Sequence, residues 1–142
     1  MELATAVTYA TENRRSVLIT LRRDGRPQSS NVMHVVEDGS LLVSVTDDRA
    51  KTRNARRDPR VSLHVSAPDF WSYVVIDGRA ELLPPAEDPH DETVEALVRY
   101  YRRAAGEHPD WDEYREVMVR ERRLLLAVRP ERAYGMLPGA GA

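Results

Sequence analysis

Apolar and polar residues alternate over much of the chain, which predicts β-strands with one buried face. Turn sequences separate several of these segments, notably Asp24-Gly25-Arg26-Pro27 and Glu37-Asp38-Gly39. Strands are predicted over residues 16–21, 28–36, 40–46, 60–66, 70–83 and 124–134, the fifth with a break near Asp77-Gly78. Because short turns connect the first three strands, we expect them to form a meander.

Helical periodicity marks four further segments, at residues 2–13, 49–57, 91–105 and 110–122. Aspartates precede three of these helices and are expected to cap them: Asp47 or Asp48, then Asp91, then Asp110. Residues 135–142 are rich in Gly and Pro and are expected to form a tail.

Meander order, with helices at the ends and a late helical pair, predicts an α+β, mainly β, antiparallel barrel in place of alternating βαβ units. The chain has 142 residues, so we expect one domain over residues 1–142. The start of the sequence has no secretory pattern, and no apolar run is long enough to span a membrane. A cytoplasmic location without membrane attachment is therefore expected.

Composition restricts the possible chemistry. There is no cysteine, which excludes disulfides, thiolate catalysis, iron–sulfur clusters and sulfur-ligated zinc. The four histidines are far apart in sequence, so no metal site is expected. Haem held by one histidine stays open, with His64 as the candidate on a strand. Redox chemistry would need a bound cofactor.

The clearest local feature of the sequence is a cluster of basic residues. The formal net charge is -2, yet six of the twelve residues 49–60 are Lys or Arg. A helix start offers free N–H groups, and Arg49, Lys51 and Thr52 add charge and a hydroxyl, a combination suited to a phosphate. A solvated basic helix is the alternative. A nucleic-acid contact is disfavoured because no aromatic platform or helix-turn-helix pattern accompanies the basic run.

Two further segments are candidates for binding a planar ring. Trp71 and Tyr73 are predicted to share one face of a strand, where they would stack on a ring or form core or a dimer interface. Four polar residues, 28–31, lie on a predicted barrel strand, so some of them face inward or into a groove. They would bind the polar edge of a heterocycle or, alternatively, form a hydrated edge strand.

Taken together and in this order, the segments at residues 24–31, 49–54, 57–60 and 71–73 resemble the pyridoxamine-phosphate-oxidase-like split β-barrel superfamily. Within it, the late helices and the segment 134–139 resemble the actinobacterial branch presumed to use the deazaflavin coenzyme F420. The Arg-x-His pair of true pyridoxamine phosphate oxidases is missing from residues 129–135. Oxidation of vitamin B6 is therefore not expected.

The resemblance implies a homodimer with two cofactor sites in the grooves between the subunits. It places Arg49, Lys51 and Thr52 at the cofactor phosphate, with Ala50 contributing its backbone. It also places Ser44 and Val45, just before this segment, close to the ring or the ribityl chain.

For the ring edge, the resemblance implies Gln28 and Asn31. Trp71 and Tyr73 would come from the other subunit. The matching segments add two more candidate cofactor-binding residues, Ser29 and Asn54.

The activity implied is that of an F420-dependent oxidoreductase, a reductase using the reduced cofactor, that transfers hydride between the deazaflavin and a small unsaturated organic substrate. The sequence indicates no catalytic acid or base. An FMN-binding protein of the same superfamily and a non-catalytic F420 carrier are the alternatives.

Overall fold

Four helices and seven strands make up the computed structural model of the chain, which describes residues 1–138. The helices are α1 (Leu3–Glu12), α2 (Ala50–Arg57), α3 (Glu92–Ala105) and α4 (Trp111–Arg120). The strands are β1 (Arg15–Leu21), β2 (Pro27–Met33), β3 (Val35–Glu37), β4 (Ser40–Thr46), β5 (Arg60–Ser66), β6 (Tyr73–Leu82) and β7 (Arg123–Met136). All four predicted helices are confirmed. None of the described helices is long and apolar enough to cross a membrane.

The strands form one antiparallel sheet in the order β2-β1-β5-β6-β7-β4-β3. β2 and β3 follow each other along the chain but lie at opposite ends of this order, so the sheet curls until its two edges approach each other. A curled sheet of this kind buries its concave face as a core. The predicted α+β split antiparallel barrel is confirmed.

The single strand predicted over residues 28–36 and the three-strand meander are wrong, because the chain changes sheet edge at His34. β2 pairs with β1, whereas β3 pairs with β4. The His34 backbone N–H donates to the Arg14 carbonyl (2.8 Å). Its imidazole Nε2 donates to the Ala10 carbonyl (2.8 Å), and Nδ1 accepts from the Ser16 hydroxyl (2.8 Å). This fully buried side chain joins α1 to the strand crossing.

Residues 1–138 form two apolar clusters, one on each face of β4 and β7. The cluster inside the barrel contains Leu18, Leu63 and Ile76, all fully buried, and it also takes up Ala6 and Ala10 of α1. The second cluster lies between the outer face of the sheet and the pair α3–α4. The run Leu124–Leu126 is apolar at every position because alternate side chains enter the two clusters.

The predicted break at residues 77 and 78 is a β-bulge within the long pairing of β6 with β7. Gly78 is required there, since a Cβ atom would lie 2.2 Å from the Arg129 carbonyl oxygen. β6 begins at Tyr73. The prediction that residues 70–72 belong to this strand is therefore wrong. β7 continues to Met136, which corrects the predicted start of the tail, and residues 139–142 of that tail lie outside the described part of the chain.

Two of the expected helix caps are confirmed. The Asp91 carboxylate accepts from the Val94 N–H (2.8 Å) at the start of α3, and the Asp110 carboxylate accepts from the Glu113 N–H (3.1 Å) at the start of α4. These caps anchor the helical pair that covers β4 and β7.

Candidate functional site

The start of α2 is fixed to the end of β4. Thr52 is fully buried, and its hydroxyl donates to the Thr46 carbonyl (2.7 Å). The predicted caps Asp47 and Asp48 are wrong: Arg49 occupies the N-cap position, without a side-chain cap. Asp47 binds Arg56 and Arg122 instead. The backbone N–H groups of residues 50 and 51 have no acceptor within the described residues, so the helix start presents free donors.

The six basic residues of this segment differ in their partners. Arg56 pairs with Asp47, and Arg60 pairs with Asp58. Arg57 donates to the Leu21 carbonyl (2.8 Å) and to the Asn54 side chain (2.9 Å). The other three make no ion pair within residues 1–138, and they are Arg49, Lys51 and Arg53. The unneutralised charge therefore lies at the start and on one side of α2.

Lys51 lies in a cationic environment. Burial is the first cause that lowers the pKa of its amine, and the neighbouring charges of Arg49 and Arg123 lower it further. Arg123 is not among the site residues predicted from the sequence. It is the first residue of β7 and pairs in register with Thr46, the last residue of β4. The sequence around Arg123 does not indicate that it lies beside the start of α2, because β7 and β4 pair although they are far apart in sequence.

β4 has an open edge beside these cations. β3 pairs with β4 over residues 40–42, whereas over residues 43–46 the described strands pair with β4 only on the β7 side. The Ser44 side chain lies on the outer face, where its Oγ accepts from Arg123 Nη1 (3.3 Å). The Val45 side chain is buried in the barrel core. Adjacent residues of a strand direct their backbone N–H and C=O groups to opposite edges, so Ser44 offers side chain and backbone at this edge, whereas the Val45 backbone faces β7.

The register of β2 on β1 divides the polar run 28–31 between the two faces of the sheet. Gln28 lies opposite Thr20 on the inner face, and its Oε1 accepts from Asn54 Nδ2 (2.8 Å), which is also 3.2 Å from the Thr20 hydroxyl. These side chains join β2 to α2. Ser29 and Asn31 lie on the outer face, and both are exposed.

Trp71 does not lie on a strand, so the prediction that it shares a strand face with Tyr73 is wrong. It follows Phe70, whose φ of 53° turns the chain before β6. Trp71 is 77% exposed and Phe70 is 75% exposed, and their rings pack edge to face at 5.1 Å. Tyr73 instead stacks on His64, the haem candidate, with ring centroids 5.2 Å apart.

Within one protomer, the aromatic residues lie far from the start of α2. β5 begins at Arg60, shortly after α2, and ends at Ser66, which pairs with Tyr73. Its seven residues span about 20 Å at the usual rise of a strand. The structure therefore brings Ser44, Arg49 and Lys51 together and leaves Trp71 at the opposite end of the barrel.

Comparison with known proteins agrees with this architecture. The sequence profile of a family described as pyridoxamine 5'-phosphate oxidase matches residues 4–137. The chain belongs to the pyridoxamine 5'-phosphate oxidase family. Among solved structures, this family member is similar to an F420 reductase, with 25% sequence identity and a TM-score of 0.67 over 89% of this chain and 94% of that one.

Two other solved structures show the same fold at lower identity. A conserved hypothetical protein from Mycobacterium tuberculosis is 23% identical, with a TM-score of 0.72 over 100% of this chain and 95% of that one. An FAD-binding protein from Mesorhizobium loti is 21% identical, with a TM-score of 0.66 over 95% and 92% of the two chains. The predicted resemblance of the chain to the split-barrel superfamily is thus confirmed.

Proposed function

We propose that this chain is an oxidoreductase that binds coenzyme F420 at the start of α2 and transfers hydride between it and a small unsaturated organic substrate. The observation that carries the proposal is the unneutralised pair Arg49 and Lys51 beside the open edge of β4. Membership of an oxidase family and the similarity to an F420 reductase support it.

The residues present fit the phosphate and the ring of such a cofactor. Arg49 and Lys51 would bind the phosphate through charge, together with the free N–H groups at the helix start, including that of Ala50. Thr52 would position this start through its bond to Thr46, since its hydroxyl is buried. The ring would lie along the edge of β4, where the backbone carbonyl of Ser44 could accept a hydrogen bond from its polar edge. When bound, the deazaflavin supplies the hydride chemistry and the protein supplies orientation.

A basic groove favours F420 over FMN, the runner-up. Arg22 and Arg23 of the β1–β2 connection and Arg53 of α2 line a groove of about 760 Å³ together with Ala50. None of these three arginines forms an ion pair within the described residues. F420 carries a polyglutamate tail beyond its phosphate and FMN does not, so only F420 would use this groove.

We also propose that the cofactor site is completed in a homodimer. One row of residues crosses five strands on the outer face, through the pairs Asn31–Val17–His64–Val75–Tyr134. Tyr134 is 55% exposed. A second protomer packed on this face would bury the ring of Tyr134. The second protomer would also supply its Trp71 and Tyr73 to the cofactor site of the first, which the first protomer's own Trp71 and Tyr73 cannot reach. Light scattering should give the mass of a dimer, and Tyr134→Asp should favour the monomer. A monomeric wild type would refute the dimer.

The test of the function is equilibrium titration of the purified protein with F420 and with FMN, followed by fluorescence. Tight binding of F420, with oxidation of reduced F420 by an unsaturated acceptor, is the expected result. Tight binding of FMN alone would assign the chain to the flavin-using members. Stoichiometric F420 binding without turnover over a panel of acceptors would make it a carrier, and binding of neither would refute the proposal.

A further inference from the structure

Arg123 is held in a fixed position at the open edge of β4. Its Nε donates to the Glu121 carboxylate (2.8 Å) and its Nη1 donates to the Ser44 hydroxyl (3.3 Å). Its side chain is 31% exposed. Its Nη2 makes no hydrogen bond within residues 1–138. The guanidinium therefore has a spare donor and access to solvent next to a residue of the proposed cofactor site.

Two of the three cations around this position, Arg49 and Lys51, have no ion-pair partner within residues 1–138, whereas Arg123 pairs with Glu121 (2.8 Å). Lys51 is the only lysine in the sequence, and the charged groups that shift the pKa of its amine are both cations, Arg49 and Arg123. The three side chains come from two elements, α2 with its N-cap and β7. The register places Arg123 beside Thr46, just before α2, and an anion bound there would stabilise the two unpaired cations together with this guanidinium.

We propose that Arg123 binds the same anionic group as Arg49 and Lys51, so that a phosphate ester is held between α2 and β7. The inference rests on the proposed cofactor site and adds to it a residue that lies 72 positions beyond Lys51 in the sequence. The Nη2 group of Arg123 offers its N–H donors to phosphate oxygens while Nε and Nη1 stay bonded to Glu121 and Ser44, an arrangement that an ammonium group cannot reproduce. Glu121 and Ser44 act as positioning residues for this guanidinium. In the alternative, Arg123 is only a structural link between β7 and β4.

The first experiment compares the affinity of wild type, Arg123→Gln and Arg129→Gln for F420 and for FMN. Arg129 lies on the same strand, its side chain is 66% exposed, and it pairs with Glu81, so it controls for loss of one positive charge. Arg123→Gln is expected to weaken binding of the accepted cofactor by at least about tenfold, as for a lost charge-assisted hydrogen bond. Arg129→Gln is expected to leave binding unchanged. Arg123→Lys keeps the charge without the planar guanidinium that bonds Glu121, Ser44 and the anion together, and it is expected to bind with intermediate affinity.

The outcomes separate the inference from the function it rests on. If wild type binds neither cofactor, the proposed function fails. If wild type binds and Arg123→Gln binds as tightly as Arg129→Gln, the cofactor site stands and the role of Arg123 is refuted. Should Arg123→Gln fail to fold, as judged by thermal unfolding, Arg123→Lys against wild type gives the same test.

A second readout needs no cofactor. Reductive methylation with ¹³C labels Lys51 as the only side-chain amine, and NMR titration then gives its pKa. Removal of a neighbouring cation should raise that pKa in Arg123→Gln and leave it unchanged in Arg129→Gln. A Lys51 pKa equal in Arg123→Gln and wild type would show that the two groups do not share one site, which would overturn the proposal.

Discussion

Replacement of His34 should destabilise the fold at the point where the chain changes sheet edge. Its fully buried imidazole makes two hydrogen bonds of 2.8 Å, to Ser16 and to Ala10. His34→Ala loses both bonds, at about 1 kcal/mol each, and leaves a cavity and two buried polar groups without partners. The total loss is expected to be about 3 to 5 kcal/mol, a large fraction of the 5 to 15 kcal/mol that stabilises a typical domain.

The same residue should make stability depend on pH. Burial is the main cause that lowers the pKa of His34 below its ordinary value of 6.5. The unfolded chain therefore binds a proton at a higher pH than the folded chain does, and stability falls as the pH decreases below about 6.5. Above that pH the contribution is fully present. His34→Gln keeps an amide donor for the Ala10 carbonyl but does not titrate, so it should lose this part of the pH dependence.

Urea denaturation of wild type, His34→Ala and His34→Gln at pH 7.5, and of wild type and His34→Gln from pH 7.5 to 5, measures both effects. The lowered pKa values of Asp47, Asp58, Asp91 and Glu95 concern carboxylates, which titrate below this range. A loss below about 1 kcal/mol in His34→Ala would refute the argument that this side chain fixes the crossing. Equal pH dependence in wild type and His34→Gln would refute the linkage.

Three other substitutions test the site and the sheet. Lys51→Ala should weaken cofactor binding by about 1.5 to 3 kcal/mol in a fluorescence titration, with unfolding free energy unchanged or raised because a repelled cation is removed. Thr52→Val removes the buried bond to Thr46, and urea denaturation should show a loss of about 1 to 2 kcal/mol together with weaker cofactor binding despite no change in charge. Gly78→Ala places a methyl group 2.2 Å from the Arg129 carbonyl and should cost more than about 2 kcal/mol in thermal unfolding; an unchanged midpoint would contradict the bulge.

Local patterns predicted the elements because their causes are local. Alternation along residues 60–66 reflects one face of β5 in the core, and Asp91 and Asp110 cap helices that begin just after them. Residues 28–36 were predicted as one strand because the residues on both sides of His34 favour extended backbone. The interruption depends on contacts with Ala10 and Ser16, which a local pattern cannot show.

The basic segment shows a similar limit. The high content of Lys and Arg identified residues 49–60 as the strongest candidate for an anion-binding segment. Ion pairs decide which charges of this segment can bind a ligand. Asp47 was predicted as a helix cap and instead neutralises Arg56, and Arg123 joins the site only through the pairing of β7 with β4. The sequence could therefore predict where the cations lie, whereas the fold determines which of them are unpaired.

Site composition and oligomeric state depend on each other in this fold. The cations at the start of α2 and the exposed ring of Trp71 lie toward opposite ends of the barrel, separated along β5, whose seven residues span about 20 Å. A ring joined to its phosphate by a short ribityl chain cannot lie against both within one protomer. Trp71 can therefore contribute to the cofactor site only from a second copy of the chain, so evidence that Trp71 contacts the cofactor would also be evidence for the dimer.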